Sequence, residues 1–393
     1  MRNAARLPLA GTCLAAVVVL GACTPAPHRP SASAPSPPTL AAAWRSTSVA
    51  RPLPGLTDLC EDRWESARPP GRPHDRIGLR RLALCPPARG PTPGAVPVLF
   101  FPGTHMNGTV AAVTEAHDFR LYLARRGVEI WSVDYRTHFV PPVDADLTFM
   151  RQWNDAVLLD DAALAVATVR AARGEERLVV AGFSRGVSIA YALAARDPRG
   201  IAGLVILDGV APGAFPRARR ASAAAAPAID VGSRRLPYAE RQALLDAVIT
   251  APGGPAGDPA FATAGERLAH ILYTSAAFGG RGGLSDALHG CADIEAVARL
   301  LRSYDRYWPA AATPEVGTSP QGEPAAVPVF AVASGNLGPA FRDAVIASAR
   351  AAGGNATTMV ELPGCGHLDV LVGRNAPAAV FAPLQRWIEG LPR

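Results

Sequence analysis

Two residues far apart in the sequence have the side chains and neighbours that nucleophilic catalysis requires. Ser184 is the centre of Gly182-Phe-Ser184-Arg-Gly186, and His367 lies in Pro363-Gly-Cys-Gly-His367. A serine hydroxyl is a weak nucleophile at neutral pH unless an imidazole accepts its proton and later returns it to the leaving group. The pair therefore predicts a serine nucleophile with a histidine base. A structural role for His367 is the alternative.

The residues around Ser184 predict the turn that would expose its hydroxyl. Leu178–Ala181 form an apolar run, and an alanine-rich helical segment begins after Gly186. In a strand-to-helix turn of this kind the serine backbone is strained, and glycines allow strand and helix to approach closely. An ordinary glycine-rich turn is the alternative interpretation. His367 follows the last predicted strand, so its loop can reach back over the same edge of the sheet.

Apolar runs separated by helix-length segments predict the fold class. The predicted strands are Ile77–Cys85, Val96–Gly103, Val128–Arg136, Leu178–Ala181, Ile201–Gly209, Val327–Gly335 and Thr358–Leu362. The predicted helices are Thr114–Arg126, Met150–Arg173, the segment after Gly186, Tyr238–Thr250, Asp286–Tyr304, Phe341–Ala352 and Ala376–Ile388. Strands without polar alternation indicate an α/β protein, with a doubly wound, mostly parallel sheet that is covered on both faces. Residues 41–209 and 327–393 would form the core, and residues 210–326 a helical cap or lid insertion.

The order of these motifs resembles the α/β-hydrolase superfamily: a strand, a Gly-X-Ser-X-Gly turn, an insertion and a late glycine–histidine loop. The resemblance covers residues 77–388. It implies that the backbone N–H groups of Arg185 and Thr104 hold the oxyanion of a tetrahedral intermediate. Removing one such donor typically costs about 3 kcal/mol of barrier. His105, the residue after Thr104, would either line the site or serve as a turn histidine.

The same resemblance implies a carboxylate that orients His367. The usual position for it follows the strand Val327–Ala333, but the next residues are Ser334-Gly-Asn336, and no carboxylate appears before Asp343. In a variant of the family, the acid comes from the strand that follows the helix after the serine turn. In this sequence that strand ends at Asp208. Asp208 is therefore the leading candidate for the third catalytic residue, and the lesser candidates are Asp343 and Asp369. Two further residues at a strand end could approach the pocket or only hold a loop, namely Asp134 and His138.

The N-terminus predicts export and a lipid anchor. Arg2 and Arg6 precede an apolar run, Leu7–Leu20, which is too short to be a comfortable permanent membrane span and indicates a signal peptide of residues 1–22. Leu20-Gly-Ala-Cys23 resembles the bacterial lipobox, which implies that Cys23 receives diacylglycerol. Residues 23–40 are rich in Pro, Ser and Ala and predict an extended tether. The protein would then lie outside the cytoplasmic membrane; cleavage that leaves Cys23 unmodified is the alternative.

The remaining cysteines predict disulfides. In an oxidising compartment Cys60, Cys85, Cys291 and Cys365 can form two bridges. Proximity in sequence favours Cys60 with Cys85, which leaves Cys291 with Cys365. Four reduced, buried cysteines are the alternative.

Composition and spacing argue against several other classes of protein. The formal charge is +6, but all 39 basic residues are arginines and are scattered, so no nucleic-acid partner is predicted. The histidines are far apart and no Cys-X-X-Cys or His-X-X-X-His spacing occurs, so no metal site is predicted. No glycine-rich phosphate motif precedes a helix, and hydrolysis is expected to need no cofactor.

Together these features favour a serine hydrolase that cleaves a carboxylic ester through an acyl-enzyme intermediate. Its expected substrate is a small-molecule or lipid-like ester, and the N-terminal anchor would hold it at a membrane. A peptidase or an acyltransferase on the same fold is one alternative. A non-catalytic binding protein of the cell envelope is another, because the usual carboxylate is missing after Ala333.

Overall fold

The computed structural model contains these strands in the residues that it describes: β1 Trp44–Leu53, β2 Leu56–Ala67, β3 Arg76–Leu84, β4 Val98–Phe101, β5 Ile130–Asp134, β6 Leu178–Phe183, β7 Ile201–Leu207, β8 Ala228–Asp230, β9 Tyr307–Pro309, β10 Val329–Ser334 and β11 Thr357–Leu362. Nine of them form the central sheet, in the order β1-β2-β3-β5-β4-β6-β7-β10-β11. From β5 to β11 all neighbours in the sheet are parallel, whereas β1, β2 and β3 extend it as antiparallel strands. The predicted doubly wound, mostly parallel sheet is confirmed.

The structure describes residues 40, 42–85, 96–143, 146–174, 177–214, 226–232, 236–273, 290–312 and 327–392. The predicted signal peptide, Cys23 and the predicted tether as far as residue 39 lie outside these residues. Among the residues that are described, no helix has both the length and the apolar character needed to cross a bilayer.

Helices cover both faces of the sheet. The α-helices of the described residues are α1 Phe119–Arg125, α2 Asp155–Arg173, α3 Arg185–Arg196, α4 Tyr238–Thr250, α5 Ala264–Tyr273, α6 Ile294–Arg302, α7 Pro339–Gly353, α8 Asp369–Val372 and α9 Ala382–Glu389. Side chains of one strand alternate between two apolar cores: Val179 and Ala181 of β6 pack on one side, Leu178 and Val180 on the other. The first core includes residues of α1, α6 and α9, and the second includes residues of α2, α3 and α7.

The described residues between β7 and β10 contain α4, α5, α6 and a small antiparallel pair, β8 with β9. Helix α4 has the predicted bounds, whereas the predicted helix Asp286–Tyr304 is shorter, because α6 covers Ile294–Arg302. Residues 286–289 of that prediction lie outside the described part.

Strands β1 and β2 are absent from the sequence prediction because their residues lack an apolar pattern. Most side chains of β1 are exposed, as expected for an edge strand. In β2, Glu61 and Asp62 are buried although they are charged. Arginine partners compensate that burial, since Arg80 contacts Glu61 and Arg81 contacts Asp62. In the sequence alone, charged residues that the fold pairs and buries have the same pattern as those of a solvent-exposed loop.

A buried ion-pair network fixes the carboxyl end of β5, next to the candidate site. The Arg136 guanidinium donates to both oxygens of Asp161 on α2 and, at 2.9 Å, to Asp75 in the loop before β3. The side chains of Arg136, Asp161 and Asp75 are at most 4% exposed. The network therefore joins the antiparallel edge of the sheet to α2.

Replacing Arg136 should destabilise the fold strongly, because two buried carboxylates would each lose one of two arginine partners, with Arg68 left on Asp161 and Arg72 left on Asp75. We expect Arg136→Ala to lower the free energy of unfolding by about 3 to 5 kcal/mol. The control is Arg196→Ala, which removes an exposed pair with Asp160 and should cost at most about 1 kcal/mol. Urea denaturation of both variants provides the comparison, and equal losses would contradict a structural role for the buried network.

Candidate active site

Ser184 occupies the turn between β6 and α3. Its backbone has φ 53° and ψ −113°, in a region that residues with a side chain rarely adopt. The Ser184 N–H donates to the carbonyl of Leu207 at 3.1 Å, which holds the turn against the end of β7. Strain of this kind costs about 1 to 3 kcal/mol and persists where the surrounding structure enforces it. The half-buried Ser184 side chain therefore lies at the carboxyl edge of the sheet.

Close backbone packing explains the two glycines of the motif. A Cβ on Gly186 would collide with the backbone of Phe101 and Pro102 at the end of β4. A Cβ on Gly182 would collide with the backbone of Gly186 and Val187. The predicted need for small residues at positions 182 and 186 is confirmed.

His367 lies in the loop between β11 and α8 and contacts a carboxylate. Its Nδ1 is 2.6 Å from Oδ2 of Asp208, which directly follows β7. Because a carboxylate oxygen accepts, Nδ1 of the neutral ring is the protonated nitrogen and the ring's lone pair is on Nε2. The imidazole stacks on Phe183, with ring centroids 4.6 Å apart, so it packs directly against the residue before Ser184.

The Asp208 carboxylate is completely buried and is held by β10 as well as by His367. Ser334 donates its backbone N–H to Oδ1 and its hydroxyl to Oδ2, each at 2.7 Å. Asp208 also has a positive φ of 51°, and its N–H donates to Val332 at 2.9 Å. Hydrogen bonds from both neighbours compensate the loss of water around the charge.

The two lesser candidates for the acid have other environments. Asp343 lies on α7 with 63% of its side chain exposed and pairs with Arg342. Asp369 is buried and holds the histidine loop, since its Oδ2 accepts from the N–H of Gly366 at 2.7 Å and of Cys291 at 2.8 Å. Of the three aspartates, Asp208 is the one that the structure shows hydrogen-bonded to Nδ1 of His367.

Both predicted disulfides are present. Cys60 pairs with Cys85, and Cys291 pairs with Cys365. The second bridge lies two residues before His367 and joins its loop to the segment that precedes α6. The segment between β7 and β10 is therefore attached covalently to the loop that carries the imidazole.

The two predicted oxyanion donors follow residues at the turn: Arg185 comes directly after Ser184, and Thr104 comes directly after Gly103. Arg185 is the first residue of α3, and the N–H groups of a helix's first turn have no partner within the helix. Thr104 follows Gly103, whose position is so close to Ser184 that an added Cβ would lie 3.1 Å from the serine Cβ. The Arg185 side chain points away to an ion pair with Asp155.

A polar cluster next to the loop that contains Thr104 includes His105, Asp134 and His138. Asp134 accepts from Arg80 at 2.8 Å and from the N–H of Gly108 at 2.8 Å. His138 lies between Arg80 and Asp305, a residue between α6 and β9. Burial opposes its charged form, but Asp134 and Asp305 raise the pKa of His138. These contacts favour the loop-holding role for Asp134 and His138.

Sequence reasoning missed Ser334 and Asp305 as parts of the site. Ser334 stands at the place where the family resemblance implies an acid. Its hydroxyl is the feature of the sequence that could have indicated a hydrogen-bonding role at this position. Nothing in the sequence near Asp305 indicates contact with residues 105–138, because the pairing joins segments far apart in the chain.

Comparison with known proteins identifies the fold. No protein-family model and no curated protein matches the chain. A putative lipase from Sulfolobus solfataricus has 24% identity and a TM-score of 0.71, covering 89% of this chain and 99% of that one. A thermophilic esterase from Thermogutta terrifontis has 18% identity and a TM-score of 0.43, covering 82% and 95%. An α/β hydrolase fold protein from Nakamurella multipartita has 18% identity and a TM-score of 0.39, covering 80% and 96%.

The esterase and the Nakamurella protein have TM-scores below 0.5, so these two similarities support no conclusion about this chain. The similarity to the putative lipase, at 24% identity, shows the fold alone. With the mostly parallel sheet described above, the chain has the α/β-hydrolase fold.

Gly186→Ala tests the close approach between α3 and β4. The added methyl group would meet backbone on β4, which cannot rotate away, so we expect a destabilisation of about 3 kcal/mol or more. Gly253→Ala is the control, because no atom lies within 4 Å of a Cβ placed there. Thermal unfolding of both variants checks the prediction, and an unchanged midpoint for Gly186→Ala would be inconsistent with this packing.

Proposed function

We propose that this protein is a serine hydrolase that cleaves carboxylic esters through an acyl-enzyme intermediate. The observation that carries the proposal is the 2.6 Å contact between Nδ1 of His367 and buried Asp208, at the edge of the sheet where Ser184 occupies a positive-φ turn. The likeness to a putative lipase supports it at the level of the fold. The expected substrates are small-molecule or lipid-like esters.

In the acylation step, Ser184 Oγ attacks the ester carbonyl carbon while its proton moves to Nε2 of His367. The carbonyl electron pair moves to oxygen, and the N–H groups of Arg185 and Thr104 would bind that oxyanion. The N-terminal end of α3 adds a partial positive charge at the same place. When the intermediate collapses, the C–O bond to the alcohol breaks, and the imidazolium protonates the leaving alcohol.

In the deacylation step, water attacks the acyl-enzyme and gives its proton to Nε2 of His367. The bond between the acyl carbon and Ser184 Oγ then breaks, and the imidazolium returns the proton to Oγ, so the carboxylic acid is released. Asp208 stabilises the imidazolium in both steps. Because Ser334 fixes both oxygens of that carboxylate, the ring keeps one orientation throughout.

The contact with Asp208 also bears on the alternative of a non-catalytic binding protein. That hypothesis depends on the missing carboxylate after β10, and Asp208 supplies a carboxylate from the neighbouring strand. A peptidase or an acyltransferase would use the same residues, so substrate profiling separates these from an esterase.

Substitutions of the three proposed catalytic residues should abolish or strongly reduce ester hydrolysis. We expect Ser184→Ala and His367→Ala to lose measurable turnover of p-nitrophenyl esters. Asp208→Asn should lower kcat by about 10⁴-fold, because an amide favours the wrong tautomer of the imidazole. A Ser184→Ala protein with full activity would falsify the proposal.

The matched control is Asp343→Asn, which changes an exposed aspartate that the sequence also offered as the acid. We expect this variant to keep the activity of the unaltered protein. A fluorophosphonate probe should label the unaltered protein and Asp343→Asn but leave Ser184→Ala unlabelled. Labelling of the Ser184→Ala protein at another serine would assign the nucleophile elsewhere.

We further propose that the protein is anchored outside the cytoplasmic membrane through lipidated Cys23. The lipobox-like Leu20–Cys23 motif supports this location, and the two disulfides fit an oxidising compartment. Cys23→Ser should lose incorporation of an alkynyl palmitate analogue. Cys13→Ser, inside the predicted signal peptide, should retain it; equal labelling of the two variants would argue against Cys23 as the anchor.

A further inference from the structure

One residue of the cap contacts the loop that carries Thr104 at several points. We call residues 103–108, which follow β4, the oxyanion loop. The N–H of Asp305 donates to the carbonyl of His105 at 2.7 Å, and Nδ1 of His105 lies 3.1 Å from the carbonyl of Asp305. Since a carbonyl can only accept, Nδ1 donates. The backbone of Asp305 thus pairs with the residue next to Thr104.

His105 needs such support because its backbone is strained. Its φ of 64° lies in the left-handed region, which a residue with a side chain adopts when its surroundings enforce it. Burial lowers the pKa of His105 to about 4, so the ring is neutral at neutral pH and can keep this hydrogen bond. Trp308 of β9 also lies near the His105 ring, with the ring centroids 6.3 Å apart.

The side chain of Asp305 extends the same contact. Its carboxylate, 8% exposed, accepts from Asn107 Nδ2 at 2.8 Å, from Thr137 Oγ1 at 3.0 Å and from His138 Nδ1 at 3.0 Å. Asn107 also donates to the carbonyl of Ser303 at 2.9 Å. One cap residue therefore connects the oxyanion loop with the segment that follows β5.

The core holds the far end of the oxyanion loop, and the cap holds its middle. At Gly108 the N–H donates to Asp134, and the carbonyl accepts from Arg120, each at 2.8 Å. At residues 105 and 107 the partners belong to residues 303–305. Thr104 lies between the end of β4 and the cap attachment at His105, so the direction of its N–H depends on the peptide planes between these two points. An oxyanion donor is effective when its direction is fixed before reaction.

We propose that Asp305 is a positioning residue for the Thr104 oxyanion donor, so that the cap insertion completes the catalytic site. The inference rests on the proposed function. It assigns the cap a part in the chemical step, in addition to any part in substrate selection.

Asp305→Ala in the full chain tests the proposal. With p-nitrophenyl acetate we expect kcat to fall about 10- to 100-fold, less than the 10² to 10³ typical of a removed donor, with KM within about twofold. Both variants keep the backbone pairing with His105, and Asp305→Ala removes the carboxylate that accepts from Asn107 and Thr137. Asp305→Asn keeps an acceptor oxygen, so it should recover most of kcat. If Asp305→Ala does not fold, the kcat of Asp305→Asn still tests the proposal.

A second readout separates positioning from general damage. A trifluoromethyl ketone forms a tetrahedral adduct with an oxyanion, so its inhibition constant should rise by about the factor by which kcat/KM falls. Binding of the product carboxylic acid should change little. Equal weakening of both ligands would indicate a merely structural role and overturn the proposal.

The matched control is Asp230→Ala, which removes a more exposed cap aspartate that pairs with Arg306, the residue after Asp305. It should keep the kcat of the unaltered protein. If the unaltered protein cleaves esters and a fluorophosphonate labels Ser184, but Asp305→Ala has normal kcat, the positioning role is wrong and the proposed function stands. If Ser184 is neither labelled nor needed for activity, both proposals fail.

Discussion

The hydrogen bond between buried Asp208 and His367 is the interaction on which the arrangement of the site depends. An ionised carboxylate without contact to water is costly unless donors surround it. Ser334 and His367 supply those donors from two other parts of the chain. The cost of leaving the carboxylate unpaired thus favours the conformation in which the imidazole is held at the carboxyl edge of the sheet.

The surrounding structure limits the freedom of both partners. Asp208 directly follows β7, which lies between β6 and β10, so the parallel register of three central strands sets its position. The loop of His367 is tied down by the Cys291–Cys365 bridge and by Asp369, which accepts two backbone N–H groups. Preorganisation of this kind is what nucleophilic catalysis requires, because the reacting groups need little rearrangement.

Local patterns predicted the central elements well. Apolar runs marked the parallel strands because residues buried on both faces leave no polar alternation, and α4 was found with both of its ends. The antiparallel β1 and β2 were missed, because β1 is largely exposed and the acidic residues of β2 are paired with arginines distant in sequence. Their burial depends on partners that no local window contains.

The sequence by itself determined the turn at Ser184, since a strand, two glycines and a helix within one short segment allow few other conformations. It also determined which cysteines could pair. Only the tertiary structure showed which of Asp208, Asp343 and Asp369 contacts His367, and brought Asp305 to the oxyanion loop. Hydrogen-bond partners separated by a hundred residues or more are chosen by strand order and packing, and these are properties of the whole folded chain.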